Sequence, residues 1–219
     1  MMAQNKIQQF NMIEQQIRPW DVLNTKVLEA LNLFPREEFV PLDYRSLAYA
    51  DCFIPLGGSQ CMLEPKIEGR LLELLLQYEL NNVLHVGTGS GYFATLLAHF
   101  SRQLTTVDLR EQLIVDAKKI HKKFAIKNIV YRCQNAFYGL REPNQYDCII
   151  FTGAHEKEPP SLREQLPIGG VLVIFEGSTI LQNVKIVQLL DQGEFETQAL
   201  FETKIPFLEE SWRPEGFRF

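Results

Sequence analysis

A chain of 219 residues is long enough for one large core, and 46% hydrophobic with 22% charged content is ordinary for a folded domain. A net charge of −5 argues against a general nucleic-acid or anionic-membrane surface. No stretch approaches the roughly 20 apolar residues of a membrane span, and Met1–Trp20 lacks the apolar core of a signal peptide, so a cytoplasmic location is expected. Cys52, Cys61, Cys133 and Cys148 contain no C-x-x-C pair, and His85, His99, His121 and His155 form no ligand cluster. Small reduced thiols are therefore expected, rather than a disulfide framework or a metal site.

Taken from the N-terminus, residues about 4–18 have helical periodicity, with Phe10, Ile13 and Ile17 on one face. A second helix follows Asn24 as N-cap, turns Val27, Leu28 and Leu31 inward and stops before Pro35. Residues 35–51 read as short helical and extended pieces and Ile54 to Pro65 as a glycine-marked loop. The next helix carries Ile67, Leu71, Leu74, Leu75 and Tyr78. Residues 1–80 are expected to form a helical cap and substrate loop over one end of a sheet built by 81–219, within the same domain.

The run Asn82-Val83-Leu84-His85-Val86 breaks into the alternating glycines Gly87, Gly89 and Gly91 and becomes a helix with Phe93, Leu96, Leu97 and Phe100 at i, i+3, i+4 and i+7. Glycines at a strand-to-helix turn allow positive φ and close approach of a ligand, and the helix start adds unpaired N–H groups. Two readings stand at this point, a binding turn for a nucleotide-like group and a structural left-handed turn. Tyr92 occupies the place of the third glycine of G-x-G-x-x-G, which disfavours a nicotinamide dehydrogenase.

From there strands and helices alternate, which predicts a parallel sheet with helices on both faces. Leu104 to Val107 is a strand ending at Asp108, Glu111 to about Phe124 a helix, and Ile129 to Arg132 a strand followed by Gln134-Asn135-Ala136. Cys148 to Phe151 is a strand with Thr152-Gly153-Ala154 at its end, Ser161 to Leu166 a short helix and Val171 to Phe175 a strand. Val184 to Leu190 and Glu196 to Thr203 read as a final hairpin through Asp191-Gln192-Gly193.

Asp108 lies 17 residues past Gly91, near the spacing of an acid that accepts from a ribose hydroxyl pair, or it is a solvated helix cap. Asn135 and Ala136 suit an adenine edge and ring, or Asn135 is a turn residue. Thr152 falls at a strand end of the same kind. Cys61 reads as a nucleophile or a small apolar loop residue, and Glu64 as a base or a solvated carboxylate. The tail Trp212-Arg213-Pro214-Glu215-Gly216-Phe217-Arg218-Phe219 is expected to pack on its own domain, with the cleft or a partner as alternatives.

The G-x-G-x-G loop resembles that of S-adenosylmethionine-dependent methyltransferases. Over nearly its whole length the chain resembles the protein-L-isoaspartate O-methyltransferase family. The carrying stretches are Met12-Ile13-Glu14-Gln15-Gln16-Ile17-Arg18, Val27-Leu28-Glu29-Ala30, Pro35-Arg36-Glu37-Glu38-Phe39-Val40-Pro41, Leu47-Ala48-Tyr49-Ala50-Asp51, Val86 to Tyr92 and Gln165 to Ile174. The resemblance implies a class I S-adenosylmethionine-dependent methyltransferase, a Rossmann-like α/β sheet with helices on both faces and an N-terminal helical cap. It implies methyl transfer to a carboxylate of an isoaspartyl residue in damaged protein. On this reading Gly87, Gly89 and Gly91 hold the cofactor's methionine end, and Cys61, Met62, His85, Thr88 and Ser90 are also expected to bind the cofactor. Asp108 holds the ribose and Asn135 with Ala136 the adenine, with Leu109 and Thr152 as further cofactor-binding residues. The expected partner is a protein or peptide carboxylate, not nucleic acid or membrane, with the chain a monomer or small homo-oligomer.

The family's substrate loop reads G-x-x-Q-T-I-S-x-P, and here it reads Gly57-Gly58-Ser59-Gln60-Cys61-Met62-Leu63-Glu64-Pro65. The family's threonine is thus Cys61, its catalytic serine is Leu63, and the acid two residues before the first glycine is His85. A carboxylate nucleophile is ionised at neutral pH without a base, so a lost hydroxyl removes positioning, worth on the order of 10²-fold. Leu63 also leaves a desolvated substrate carboxylate one partner short. The expectation is weakened isoaspartyl methylation, with another acceptor or a non-catalytic cofactor-binding role as alternatives. A neutral His85 facing the cofactor's ammonium would make affinity rise with pH through about 6.5, and a histidine packed at the strand end would not.

Overall fold

The computed structural model describes residues 2–137, 140 and 146–208. The chain opens with α1 (Met2–Met12), which runs into a π-helical turn at Ile13–Ile17 and a 3-10 turn at Arg18–Trp20. The i→i+5 bonding widens the helix there and rotates the buried stripe. Met12, Ile13 and Ile17 point inward, whereas Phe10, expected on that face, is 61% exposed. α2 (Thr25–Leu33) begins where Asn24 Oδ1 accepts from the Lys26 amide at 3.0 Å, the cap expected of that residue.

The stretch read as a loop holds a small antiparallel hairpin, β1 (Ile54–Gly57) and β2 (Gln60–Met62). Gly57, Gly58 and Ser59 turn it with positive φ. α3 (Pro65–Leu75) follows, started by Pro65 at a position whose amide needs no partner. It stops short of Tyr78 and buries Leu72 rather than Leu74.

The sheet is built from β3 (Asn82–Val86), β4 (Gln103–Asp108), β5 (Ile129–Cys133), β6 (Cys148–His155), β7 (Val171–Gly177), β8 (Gln182–Leu189) and β9 (Phe195–Thr203). Their order is β5-β4-β3-β6-β7-β8-β9, parallel through β7 and antiparallel at β8 and β9. The turn at Asp191–Gly193 closes the last pair as expected, with the Gly193 amide on Leu190 O at 2.9 Å. The crossovers are α4 (Tyr92–Phe100) and α5 (Glu111–Lys123). The chain leaves β3 toward β4 and returns on its other side with β6, so strand order reverses at β3, and crevices open beyond the strand ends at such points.

Alternation along the strands divides the apolar core. Val83, Cys148, Ile150, Val171 and Val173 join one cluster with the buried faces of α2, α3 and α4. Leu84, Val86, Ile149, Phe151 and Leu172 join another with Leu162, inside a 3-10 turn at Pro160–Gln165, and Leu166, which caps it. Helical segments cover both faces, but very unequally. β6 runs four residues beyond the expected Phe151, with a register shift between Ile150 and Ala154. The extension comes from far along the chain: the Ala154 amide donates to Pro206 O at 2.9 Å, and the Leu208 amide donates to Ala154 O at 3.1 Å.

Candidate active site

At the carboxyl ends of β3, β4, β5 and β6 lies a crevice of about 820 Å³. Gly87, Thr88, Gly89 and Ser90 form one wall, Asp108 and Leu109 the next, and Asn135 and Ala136 the far end. Thr152 lies beneath, while Cys61, Met62 and Leu63 close it from the hairpin side. Of the cofactor residues expected from the sequence, all line this one space except His85 and Gly91.

The glycine loop is held from within rather than left open. The Gly87 and Thr88 amides both donate to Val107 O, at 2.8 and 3.1 Å, and the Gly91 amide donates to Thr88 O at 2.9 Å. The Gly89 amide donates to Asp108 Oδ2 at 3.0 Å. The loop therefore does not present the fan of free N–H groups that a phosphate cradle needs. A Cβ on Gly87 would lie 2.7 Å from Thr152 Oγ1, so glycine there is a matter of close approach to β6. Gly91 serves packing instead: its φ is +84°, and a Cβ would meet Ala117 and His121 of α5 at 2.9 Å.

His85 is fully buried beneath the loop and faces no part of the crevice. Thr152 Oγ1 donates to Gly87 O at 2.9 Å and so receives the His85 Nε2 proton at 2.9 Å. His85 Nδ1 then accepts from Thr106 Oγ1 at 3.1 Å, and Thr106 accepts from Thr88 at 2.8 Å. This wiring assigns the neutral Nε2–H tautomer. Burial pushes the imidazole down to about 3, with His121 adding to the shift. The expected contact with the cofactor's ammonium is thus corrected, and the rise of affinity through pH 6.5 has no source in this side chain. Its work is to tie β4 and β6 to the loop from below.

Asp108 sits between the loop and α5. Its Oδ1 accepts from the Arg110 amide at 3.0 Å, opening α5, while the carboxylate borders the crevice. Asn135 Oδ1 accepts from the Phe137 amide at 2.8 Å, the turn role, and the residue still borders the crevice. Cys61 carries no thiolate: burial, with Glu64 and Glu68 nearby, holds its pKa up at about 12. Glu64 lies off the crevice, with Oε2 3.4 Å from Lys66 Nζ. The tail Trp212–Phe219 falls outside the described residues.

Three features were not read from the sequence. Arg110 donates from Nη1 to Gly57 O at 2.7 Å and from Nη2 to Gly58 O at 2.9 Å, latching the hairpin across the crevice mouth. Gln60 Nε2 donates to Phe207 O at 2.9 Å, and Leu208 reaches into the lining. Glu68 is 2% exposed, lines the crevice beside Leu63, and pairs with the fully buried Arg36, whose Nη2 donates to Leu63 O. Burial pushes the Glu68 carboxyl up to about 7 against the pull of Arg36. Its signal was present: Glu68, Leu71, Leu72 and Leu75 are spaced i, i+3, i+4, i+7, which puts a carboxylate in an apolar stripe.

Comparison with known proteins agrees with this geometry. The family profile described as Protein-L-isoaspartate(D-aspartate) O-methyltransferase (PCMT) matches residues 7–209. The chain is 36% identical over 188 residues to a Protein-L-isoaspartate O-methyltransferase of Petrotoga mobilis, covering 85% of this chain and 88% of that one. It is 37% identical over 162 residues to that of Shewanella piezotolerans, covering 74% and 77%. The fold is shared with a Plasmodium falciparum protein assigned as a protein-L-isoaspartate O-methyltransferase and crystallised with S-adenosyl-L-homocysteine, at TM-score 0.77 and 16% identity over 93% of this chain and 97% of that one. The chain belongs to the protein-L-isoaspartate(D-aspartate) O-methyltransferase family, a family of S-adenosylmethionine-dependent methyltransferases.

Proposed function

We propose that this protein transfers a methyl group from S-adenosylmethionine to the α-carboxylate of isoaspartyl residues in proteins or peptides. One observation carries the reading: the family's substrate loop, here Cys61–Leu63, and the glycine loop Gly87–Ser90 face each other across a single crevice bordered by Asp108. The residues present fit the cofactor. Asp108 offers a carboxylate to a ribose hydroxyl pair, Ala136 leaves room for a flat ring, and the glycine loop lets a chain of atoms approach its backbone. The absence of a phosphate cradle suits a ligand without phosphates.

When bound, S-adenosylmethionine supplies an electrophilic methyl group on a sulfonium centre. The protein's part is positioning and exclusion of water. His85 and Thr152 fix the loop, and Arg110 and Gln60 hold the hairpin down over the crevice. The acceptor carboxylate is already ionised, with a reference pKa near 3.5, so no base is needed. Four free cysteines among the described residues suit the cytoplasmic location we assign.

Methyl transfer to an isoaspartyl peptide, compared with its aspartyl counterpart, tests the reading. Labelled methyl ester on the isoaspartyl peptide alone is the expected outcome. Leu63 favours a second reading, a cofactor-binding protein without catalysis, which predicts calorimetric binding of S-adenosylhomocysteine and no labelled product from either peptide.

A further inference from the structure

The inner end of the crevice holds an acid where the family's loop has a hydroxyl nearby. Leu63 is 4% exposed and borders the space, so a carboxylate entering there finds no donor on that side chain. Glu68, on α3, borders the same space. Its Oε2 is taken by Arg36 Nη1, and its other oxygen makes no hydrogen bond among the described residues. Two further polar atoms of the cluster, Arg36 Nε and Tyr92 Oη, are buried without a hydrogen-bond partner.

Charge decides what happens when a substrate enters. With an ionised Glu68 the Arg36–Glu68 pair is neutral. With S-adenosylhomocysteine bound, which lacks the sulfonium charge, a second carboxylate would leave one buried negative charge uncompensated, which is strongly unfavourable. The site returns to neutrality when the two carboxyl groups share one proton, as paired carboxylates do elsewhere. We propose that Glu68 takes up a proton as the acceptor carboxylate enters and donates it back to that carboxylate as the hydrogen bond the loop serine would otherwise supply. The inference rests on the isoaspartyl reading of this site and names the group that lets it work without the serine.

The groups facing Glu68 leave it as the titrating member. Arg36 approaches from the 3-10 turn Arg36–Glu38, Cys61 from β2 and Tyr92 from the start of α4, with Tyr49 beyond. Burial holds Cys61 and Tyr49 up at about 12 and Tyr92 higher still, so only Glu68, at about 7, changes charge near neutrality. The proton is borrowed and not consumed. One acceptor oxygen receives the methyl group as the S–CH3 bond breaks and its electrons stay on sulfur, and Glu68 releases the proton to solvent when the neutral ester leaves.

The test is calorimetric titration of an isoaspartyl peptide into the protein saturated with S-adenosylhomocysteine, in buffers of different ionisation enthalpy, from about pH 6 to about pH 8.5. About one proton should be taken up per peptide at the alkaline end, with affinity falling about tenfold per unit above pH 7. Glu68→Gln keeps a donor that does not titrate, so it should bind without proton uptake and with a flat profile. Leu63→Ser restores a donor but no charge, so it should tighten binding while proton uptake persists, and the wild-type buffer comparison stands even if Glu68→Gln does not fold. Wild-type binding without proton uptake, or proton uptake that persists in Glu68→Gln, overturns the inference alone. An isoaspartyl peptide that binds no better than its aspartyl counterpart at any pH overturns the isoaspartyl reading and the inference with it.

Discussion

At Asp108 one carboxylate accepts from the backbone amides of Gly89 and Arg110 and borders the crevice. Asp108→Asn keeps the shape but removes the charge that makes hydrogen bonds to a carboxylate the strong kind, worth about 1.5–3 kcal/mol. S-adenosylhomocysteine should then bind about 10- to 100-fold more weakly by calorimetry, and an unchanged affinity would remove Asp108 from the site. Asp108 was legible because its position depends on a short local unit, strand to loop to helix to strand, whose spacing the sequence displays. His85 was not. Its partners Thr106 and Thr152 lie on β4 and β6, and only the sheet register, pairing His85 with Thr106 and with Ile150, brings them against it.

The β1–β2 hairpin is the element whose state decides access to the crevice. Its two short strands bury little, its turn holds three residues at positive φ, and long-range bonds from Arg110 and Gln60 hold it down. Arg110→Ala removes both guanidinium bonds to Gly57 and Gly58 while leaving the Arg110 amide on Asp108. Amide exchange across Gln60–Met62 should accelerate about tenfold or more, and bound S-adenosylhomocysteine should leave faster, with the global unfolding midpoint changed little. Equal exchange in wild type and variant would show that the latch does not hold the hairpin. The sequence presented this stretch as a loop because three- and four-residue strands carry no readable alternation. Helices α2, α4 and α5 were legible for the opposite reason, since each repeats its apolar face over two turns or more. The extension of β6 was hidden because it is completed by residues 206–208, some fifty positions further on.

For the molecule as a whole, buried histidines set the response to acid. His85 and His155 are both fully buried, and burial lowers them to about 3 and about 4; for His155, Gly153 O and Glu176 pull the other way. In the unfolded chain both titrate near 6.5, so the unfolded state binds more protons below that value and stability falls as pH falls. Between pH 7 and 5 each costs about 2 kcal/mol. Glu68 has the opposite sign: its native pKa, about 7, lies above the unfolded 4.5, so it contributes about 2 kcal/mol more at pH 5 than at pH 7. The net expectation is a loss of about 2 kcal/mol, deepened by His121, which burial also lowers. His155 offers the cleaner test, because its ring stacks on Phe137 at 5.1 Å and meets Phe151 edge-on, and the pull of Gly153 O falls short of a well-formed hydrogen bond, which neither nitrogen makes among the described residues. His155→Phe keeps a ring between two rings and removes two buried polar atoms and the titration together. Urea midpoints should therefore be equal or higher at pH 7 and should drop by about 2 kcal/mol less than wild type on going to pH 5. A variant that loses stability to acid as steeply as wild type would show that His155 is not buried neutral, and the acid response would then belong to His85 and His121.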